Sequence, residues 1–247
     1  MSITLTMPEP AEVAYIHSLA RKRTAGNFTG TRLVIKSDGA PVGVGLISSK
    51  DEHADVLVVS SDRNVPGLVD TALALLAERA LSRSKTTAVT VHRTPDRPED
   101  VDPGSRPLSQ KEWALTQPVT VENFEEADAL GVAALCHGEG WQTYADAAVA
   151  AQGCAAPGVT TVVARNSLTR TVAGFAQVLS DGIAQGYLAQ LIVHPAYRRI
   201  GLARTLVEIG YDRSGAQRLD LLTDDAQDFY ETFTGQAKPG YRIYPRQ

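Results

Sequence analysis

Arg198-Arg199-Ile200-Gly201-Leu202-Ala203-Arg204 sets three arginines, a glycine and an alanine within seven residues. The apolar run Tyr187–Val193 ends just before it, and Leu202, Leu206 and Ile209 after it fall on one face of a helix. The segment therefore reads as strand, loop and helix start. A helix start leaves about four backbone N–H groups without intrahelical partners and carries the positive end of the helix dipole. Gly201 lets backbone and ligand approach closely, Ala203 keeps the path open, and the arginines add charge, so the stretch suits a pyrophosphate. Taken alone, a six-residue pattern is equally well a solvated arginine face beside an ordinary turn.

Other reactive residues are few. Cys136 and Cys154 are the only cysteines and form no CxxC pair; they read as buried thiols, and no metal ligand set is expected.

The elements that must position the arginines come next. The segment Thr94–Glu112 holds four prolines and eight charged residues with little apolar content, a linker signature. Before it, residues 31–39, 40–49 and 54–62 read as three strands, the first two joined through Ser37-Asp38-Gly39. Helical spacing follows from Gly67 to Ala80, then a strand at Thr87–His92. After the linker come a strand in QPVTVENF, a helix beginning near Asn123, and a second helix around Tyr144 to Ala151. Strands at 159–166, 171–182 and 186–195, a helix over Gly201–Arg213, a strand over Arg218–Asp224 and a short helix in AQDFYETF complete the half. With Gly67 placed on Gly201, DRNVPGLVDTAL matches AYRRIGLARTLV, and VLVV falls on QLIV. This duplication predicts two domains of one fold, residues 1–95 and 113–247 joined by a linker over 96–112, in the α/β (α+β) class, each a mixed central sheet flanked by helices.

Composition bounds the function. The 247 residues are 43% hydrophobic and 21% charged, ordinary for a chain with a packed core. A net charge of −4 argues against a nucleic-acid partner. No apolar run is long enough to span a bilayer and the N-terminus lacks an apolar signal core, so no membrane partner and a cytoplasmic location are expected.

The match Arg198-x-x-Gly201-x-Ala203 resembles motif A of the GNAT acetyltransferase superfamily, Arg/Gln-x-x-Gly-x-Gly/Ala. PVTVENF, GWQTY, GFAQVLSDG, LIVHPAYRR, LLTD and DFYE fall in the family's order, so the resemblance covers about Trp113 to Gln247. It implies acetyl-CoA as co-substrate, with no metal, held between two splayed parallel strands at Gln190–Val193 and Leu219–Leu222. The pantetheine would bond backbone at Leu191, Ile192 and Val193. The pyrophosphate would lie on Arg198, Arg199, Ile200, Gly201, Leu202, Ala203 and Arg204. Tyr230 matches the family tyrosine placed at the thiol, and a phenol with pKa near 10 can protonate a leaving thiolate; on spacing alone it is equally a core aromatic. An oxyanion donor is expected from the backbone around Ile192 or Val193, where the family strand carries a bulge.

Relatives often place an acidic base where this chain has Gln190, which cannot take a proton, so no base is assigned. Gln190, Glu139 and Asp181 are candidates on the substrate side, Asp181 in a routine Ser-Asp-Gly turn. Trp141 and Tyr144 would cover a small-molecule amine acceptor or simply pack as a lid. In the N-terminal copy the cradle reads Asn64-Val65-Pro66-Gly67-Leu68-Val69, with both arginines lost and an amide removed by Pro66. That copy reads as degenerate and non-catalytic. Residues 241–247 suffice for one closing strand where the family has two, so the N-terminal half or a homodimer partner would supply the other. The rival readings are a non-catalytic acyl-CoA-binding protein and a GNAT-fold enzyme with another acyl donor or a protein lysine acceptor.

Overall fold

The computed structural model describes residues 2–14, 30–60, 67–92 and 106–245. The expected linker up to residue 105 and the Asn64–Pro66 part of the N-terminal cradle lie outside the described residues.

Two mixed sheets flanked by helices form the molecule. The first contains β1 (Ile3–Thr6), β2 (Thr31–Ser37), β3 (Ala40–Lys50), β4 (His53–Ser60), β5 (Ala88–His92) and β6 (Leu108–Ser109), in that spatial order. β2 and β3 are joined by Asp38 and Gly39, both at positive φ (48° and 85°), the conformation a two-residue hairpin turn demands and Asp-Gly readily supplies. Helix α1 (Leu68–Leu81) crosses this sheet, burying Leu68, Ala72, Leu73, Leu76 and Ala80 along one side. β4 and β5 are parallel, as the crossover helix between them requires. β1 and β6 were not anticipated: each is too short to show a period.

Leu108 and Ser109 lie within the expected linker, yet they pair with β5, and Ser109 then caps α2 (Gln110–Leu115) by accepting the Glu112 amide N–H. The local reason is a capping box: Glu112 reaches back to the Ser109 amide, 2.9 Å away.

The second sheet runs β11-β10-β9-β8-β7, formed by β7 (Val119–Asn123), β8 (Val159–Asn166), β9 (Val172–Ser180), β10 (Gln185–Val193) and β11 (Arg218–Asp220). Helices α3 (Ala129–Gly138) and α4 (Ala147–Cys154) pack on one face around Phe175 and Ile192, and α5 (Leu202–Ser214) joins the core on the other through Leu206 and Val207. The helix expected near Asn123 begins six residues later, at Ala129, behind a 3₁₀ turn at Glu126–Asp128. There Asp128 turns back to accept the Glu125 amide and to bind the buried Arg165 guanidinium, which also holds Glu122 at 2.7 Å.

Two expected strand extents fail. Residues 241–245 form no strand, and Tyr241, Ile243 and Tyr244 stand exposed rather than closing the sheet. The strand expected through Asp224 stops at Asp220, because beyond that residue β10 diverges and no ladder partner remains.

The two halves share one core, with Leu76 and Ala80 of α1 in the same buried cluster as Tyr197 and Leu206. Trp113 and Tyr197 are buried and lie 5.5 Å apart between ring centroids. Gln110 Nε2 donates to the carbonyls of Ala196 and Arg198 at 2.7 and 2.8 Å, so the start of the second half's cradle loop is anchored on α2.

Candidate functional site

β10 and β11 pair in parallel at Gln185↔Arg218, Gly186↔Leu219 and Tyr187↔Asp220, and no further. From Leu188 onward β10 keeps only β9 as a neighbour, so the backbone groups of Leu191 and the Val193 N–H, which point away from β9, face a gap, while the Val193 carbonyl accepts from Arg198. Such a gap can take an extended chain bearing amide groups, which would complete the ladder where β11 has left it.

The bulge in β10 lies at Ala189, between the pairs Leu188↔Val178 and Gln190↔Gln177, earlier than the expected position at Ile192 or Val193. A bulge re-aims the side chains that follow it. Ile192 therefore faces α3 and α4 beside Phe175, while Leu191 and Val193 pack toward α5.

Ahead of the gap lies the start of α5. Arg199 (φ 66°) and Gly201 (φ 86°) both adopt the left-handed conformation, one of them at the cost a non-glycine residue bears there. A Cβ built on Gly201 would meet nothing within 4 Å, so the face it presents is open. The first amide after it to find a carbonyl is Thr205 N–H, 3.2 Å from Gly201 O, which leaves the preceding amides of the turn for an anion. Arg199 is exposed beside them. This geometry fits the pyrophosphate end of an acyl-CoA.

The other two arginines are engaged within the protein. Arg198 donates to Val193 O at 2.9 Å and forms an ion pair with Glu139 just past α3. Arg204 donates to the carbonyl and hydroxyl of Thr232 at 2.8 and 2.7 Å and lies 4.1 Å over the Phe233 ring. Thr232 and Phe233 lie two and three residues past the end of α6 (Gln227–Tyr230), so Arg204 ties the cradle helix to the segment that carries Tyr230. Tyr230 is half-buried with its ring edge-on to Phe229 at 4.9 Å, and burial raises its phenol pKa.

Across the sheet, Gln190 stands opposite Gln177, so both side chains project toward α3 and α4. Gln177 donates to Gly153 O at 3.1 Å and to the Tyr144 hydroxyl at 3.3 Å. Tyr144 is wedged over Gly153, which has no side chain to obstruct the ring. The sequence reading missed Gln177; the β9–β10 register, invisible in the sequence, is what brings it to Gln190. Trp141 is 42% exposed beyond α3, near Glu139 in the chain.

Asp181 is held elsewhere. Its Oδ1 accepts the amides of Ile183, Ala184 and Gln185 at 2.9, 2.8 and 3.1 Å, which lowers its pKa and makes it a turn cap. It borders a depression of about 600 Å³ lined also by Pro157, Tyr187 and Asp220, at the closed end of the β10–β11 pair. His194 lies 3.2 Å from Ser82 Oγ of the first half, and burial pulls its pKa down to about 4. Cys136 and Cys154 are buried, with burial pushing both thiols up to about 11. No group of three or more metal-ligating side chains occurs among the described residues.

The N-terminal copy differs at the same place. With Gly67 on Gly201, His53–Leu57 correspond to Tyr187–Leu191, yet β4 stays paired with β5 through Leu57↔His92 and carries no bulge against β3. The gap that opens after Tyr187 in one half is closed by strand pairing in the other. Gly67 keeps the left-handed start (φ 70°) without the gap in front of it.

Residues 157–233 match the family model described as acetyltransferase (GNAT) domain, and the split strand pair, the cradle and Tyr230 all lie within the matched residues. Among solved structures, the chain is similar to an acetyltransferase of Trypanosoma brucei (20% identity, 51% of this chain and 99% of that one, TM-score 0.45). It is also similar to the ribosomal-protein-alanine N-acetyltransferase of Brucella melitensis biovar Abortus 2308 (18%, 51% and 98%, TM-score 0.42). A third is the aminoglycoside N-acetyltransferase AAC(6')-Iy in complex with CoA (14%, 53% and 96%, TM-score 0.45). No curated protein matches the chain.

Proposed function

We propose that this chain, whose residues 157–233 match the GNAT acetyltransferase domain model, is an N-acyltransferase that moves an acetyl group from acetyl-CoA to a primary amine of a small molecule. Catalysis is assigned to residues 113–247, and residues 1–95 serve as a non-catalytic support. The observation that carries the reading is the parting of β10 from β11 after Tyr187 and Asp220, with the open Gly201 helix start ahead of it.

When bound, acetyl-CoA supplies the thioester. The free amides at the start of α5, together with Arg199, would hold the pyrophosphate, while backbone groups of Leu191–Val193 facing the gap would hold the pantetheine arm. An N–H on that edge would donate to the carbonyl oxygen as it gains charge. Tyr230, whose half-buried phenol retains its proton, would give that proton to the departing sulfur. Arg204, through Thr232 and Phe233, holds the Tyr230 segment against the cradle helix.

Release of CoA thiol from acetyl-CoA, followed with thiol reagent across a panel of amines, tests the proposal. Amine-dependent release above the hydrolytic background is expected. Tight CoA binding with no release from any amine would instead make this a binding protein.

A further inference from the structure

Gln190 follows the Ala189 bulge on the face of the second sheet that α3 and α4 cover. Its Oε1 is sealed from solvent and accepts no hydrogen bond, whereas its cross-strand neighbour Gln177 is satisfied by Gly153 and Tyr144. A buried carbonyl oxygen without a donor calls for an explanation, and beside a substrate gap the simplest is a donor that arrives with the ligand. An amide oxygen can receive an N–H, but it cannot remove a proton.

The ionisable groups around that face are occupied in other work. Glu139 is ion-paired to Arg198. Asp146 caps α4 by accepting the amides of Ala148 and Val149. Asp181 is a turn cap, and the turn it closes lies at Gln185, about 16 Å back along β10 from Gln190 at ~3.3 Å per residue. His137 is exposed on α3, away from the sheet. His194 is turned to Ser82, and the Cys136 and Cys154 thiols are enclosed. Tyr230 is a half-buried phenol whose pKa burial raises, so it keeps its proton. Among the described residues, none of these groups is bonded to Gln190 Oε1, and each carboxylate has partners of its own.

We infer that the acceptor is a weakly basic amine, an aryl amine or a hydrazide, which meets the enzyme already unprotonated and donates its N–H to Gln190 Oε1. The inference rests on the acyltransferase reading above. In the reaction the neutral nitrogen forms a bond to the acetyl carbon and the carbon–sulfur bond breaks. Tyr230 protonates the sulfur, the nitrogen loses its extra proton to water, and water restores the phenol. An alkyl amine with conjugate acid near 10 is only about one part in 1000 neutral at pH 7, and Gln190, an amide, does not convert the remainder. Gln190 then acts as a specificity-determining residue through what it lacks.

The test is kcat/KM of the full chain with acetyl-CoA and an amine panel of graded basicity, between pH 6 and 9. Aryl amines and hydrazides should turn over with a flat profile, and alkyl amines should rise roughly ten-fold per pH unit, in step with their own neutral fraction. Gln190→Leu should raise KM for the aryl amine with acetyl-CoA affinity unchanged. Gln190→Glu should raise alkyl-amine activity at pH 7 relative to aryl-amine activity. Alkyl-amine turnover with an inflection that stays at one pH whatever the amine, or an unchanged amine KM in Gln190→Leu, would overturn the inference alone. Silence with every amine, aryl included, would overturn the acyltransferase reading and this inference with it.

Discussion

The Tyr197 hydroxyl donates to the carboxyl group of Glu78, joining α1 of the first half to the turn that leads into the cradle of the second. Glu78 is 4% exposed, and Thr169 and Thr171 also donate to it, at 2.8 and 2.7 Å, without a cation among these partners. The first half thus reaches, through one buried carboxyl group, the loop that carries Arg199 and Gly201.

Burial raises the Glu78 pKa above the usual carboxylate range, against the hydrogen bonds that lower it. The sign follows: the folded protein binds this proton more tightly than the unfolded chain. Its contribution to stability is complete below the unfolded value and is lost as pH rises through the folded one. Denaturant midpoints of wild type should accordingly fall from pH 4.5 towards neutrality more than those of Glu78→Gln. Glu78→Ala, which strands the Tyr197 and threonine hydroxyls, should cost about 1–3 kcal/mol. Parallel pH profiles for wild type and Glu78→Gln would remove the carboxyl group from this role.

Arg204 separates two accounts of the cradle. The sequence places it on the pyrophosphate, whereas the structure commits it to Thr232 and the Phe233 ring. Arg204→Ala should lower turnover about ten-fold, equivalent to ~1.4 kcal/mol, with acetyl-CoA affinity little changed. Lost affinity with turnover intact would return Arg204 to the phosphates.

Tyr230→Phe should reduce turnover about 100-fold, the scale of a positioned general acid, and leave CoA affinity as it is. Because burial raises the phenol pKa, the wild-type rate should show no loss from Tyr230 ionisation below the ordinary tyrosine range, about pH 10. Full activity of Tyr230→Phe at every pH would dismiss the residue as the acid.

Much of this was legible in the sequence because it is local. The Arg198–Ala203 pattern, the Asp38-Gly39 hairpin and the apolar face of α5 each depend on residues within a turn or two of one another. The end of pairing at Tyr187 and Asp220, the bulge at Ala189 and the meeting of Gln177 with Gln190 depend on register, which no single strand reveals. The closing strand expected from Tyr241 is absent over the described residues 241–245 for a related reason: alternation in Tyr241-Arg242-Ile243 permits a strand, but only a neighbour with free edge groups makes one. Glu78 looked like any helix glutamate, and its burial arises from Thr169, Thr171 and Tyr197, 91 or more positions away in the chain.

The central claim is that one of two homologous helix starts kept the means to hold CoA, and calorimetric titration of acetyl-CoA into wild type and Gly201→Glu tests it most directly. Nothing crowds the added side chain, but φ at Gly201 is +86°, so the variant should fold with a strain cost of about 1 kcal/mol while setting a carboxylate in the anion site. The account predicts one site per chain in wild type, weakened by salt, and none in Gly201→Glu when circular dichroism shows that variant folded. Two sites per chain, or binding that survives Gly201→Glu unchanged, would contradict it.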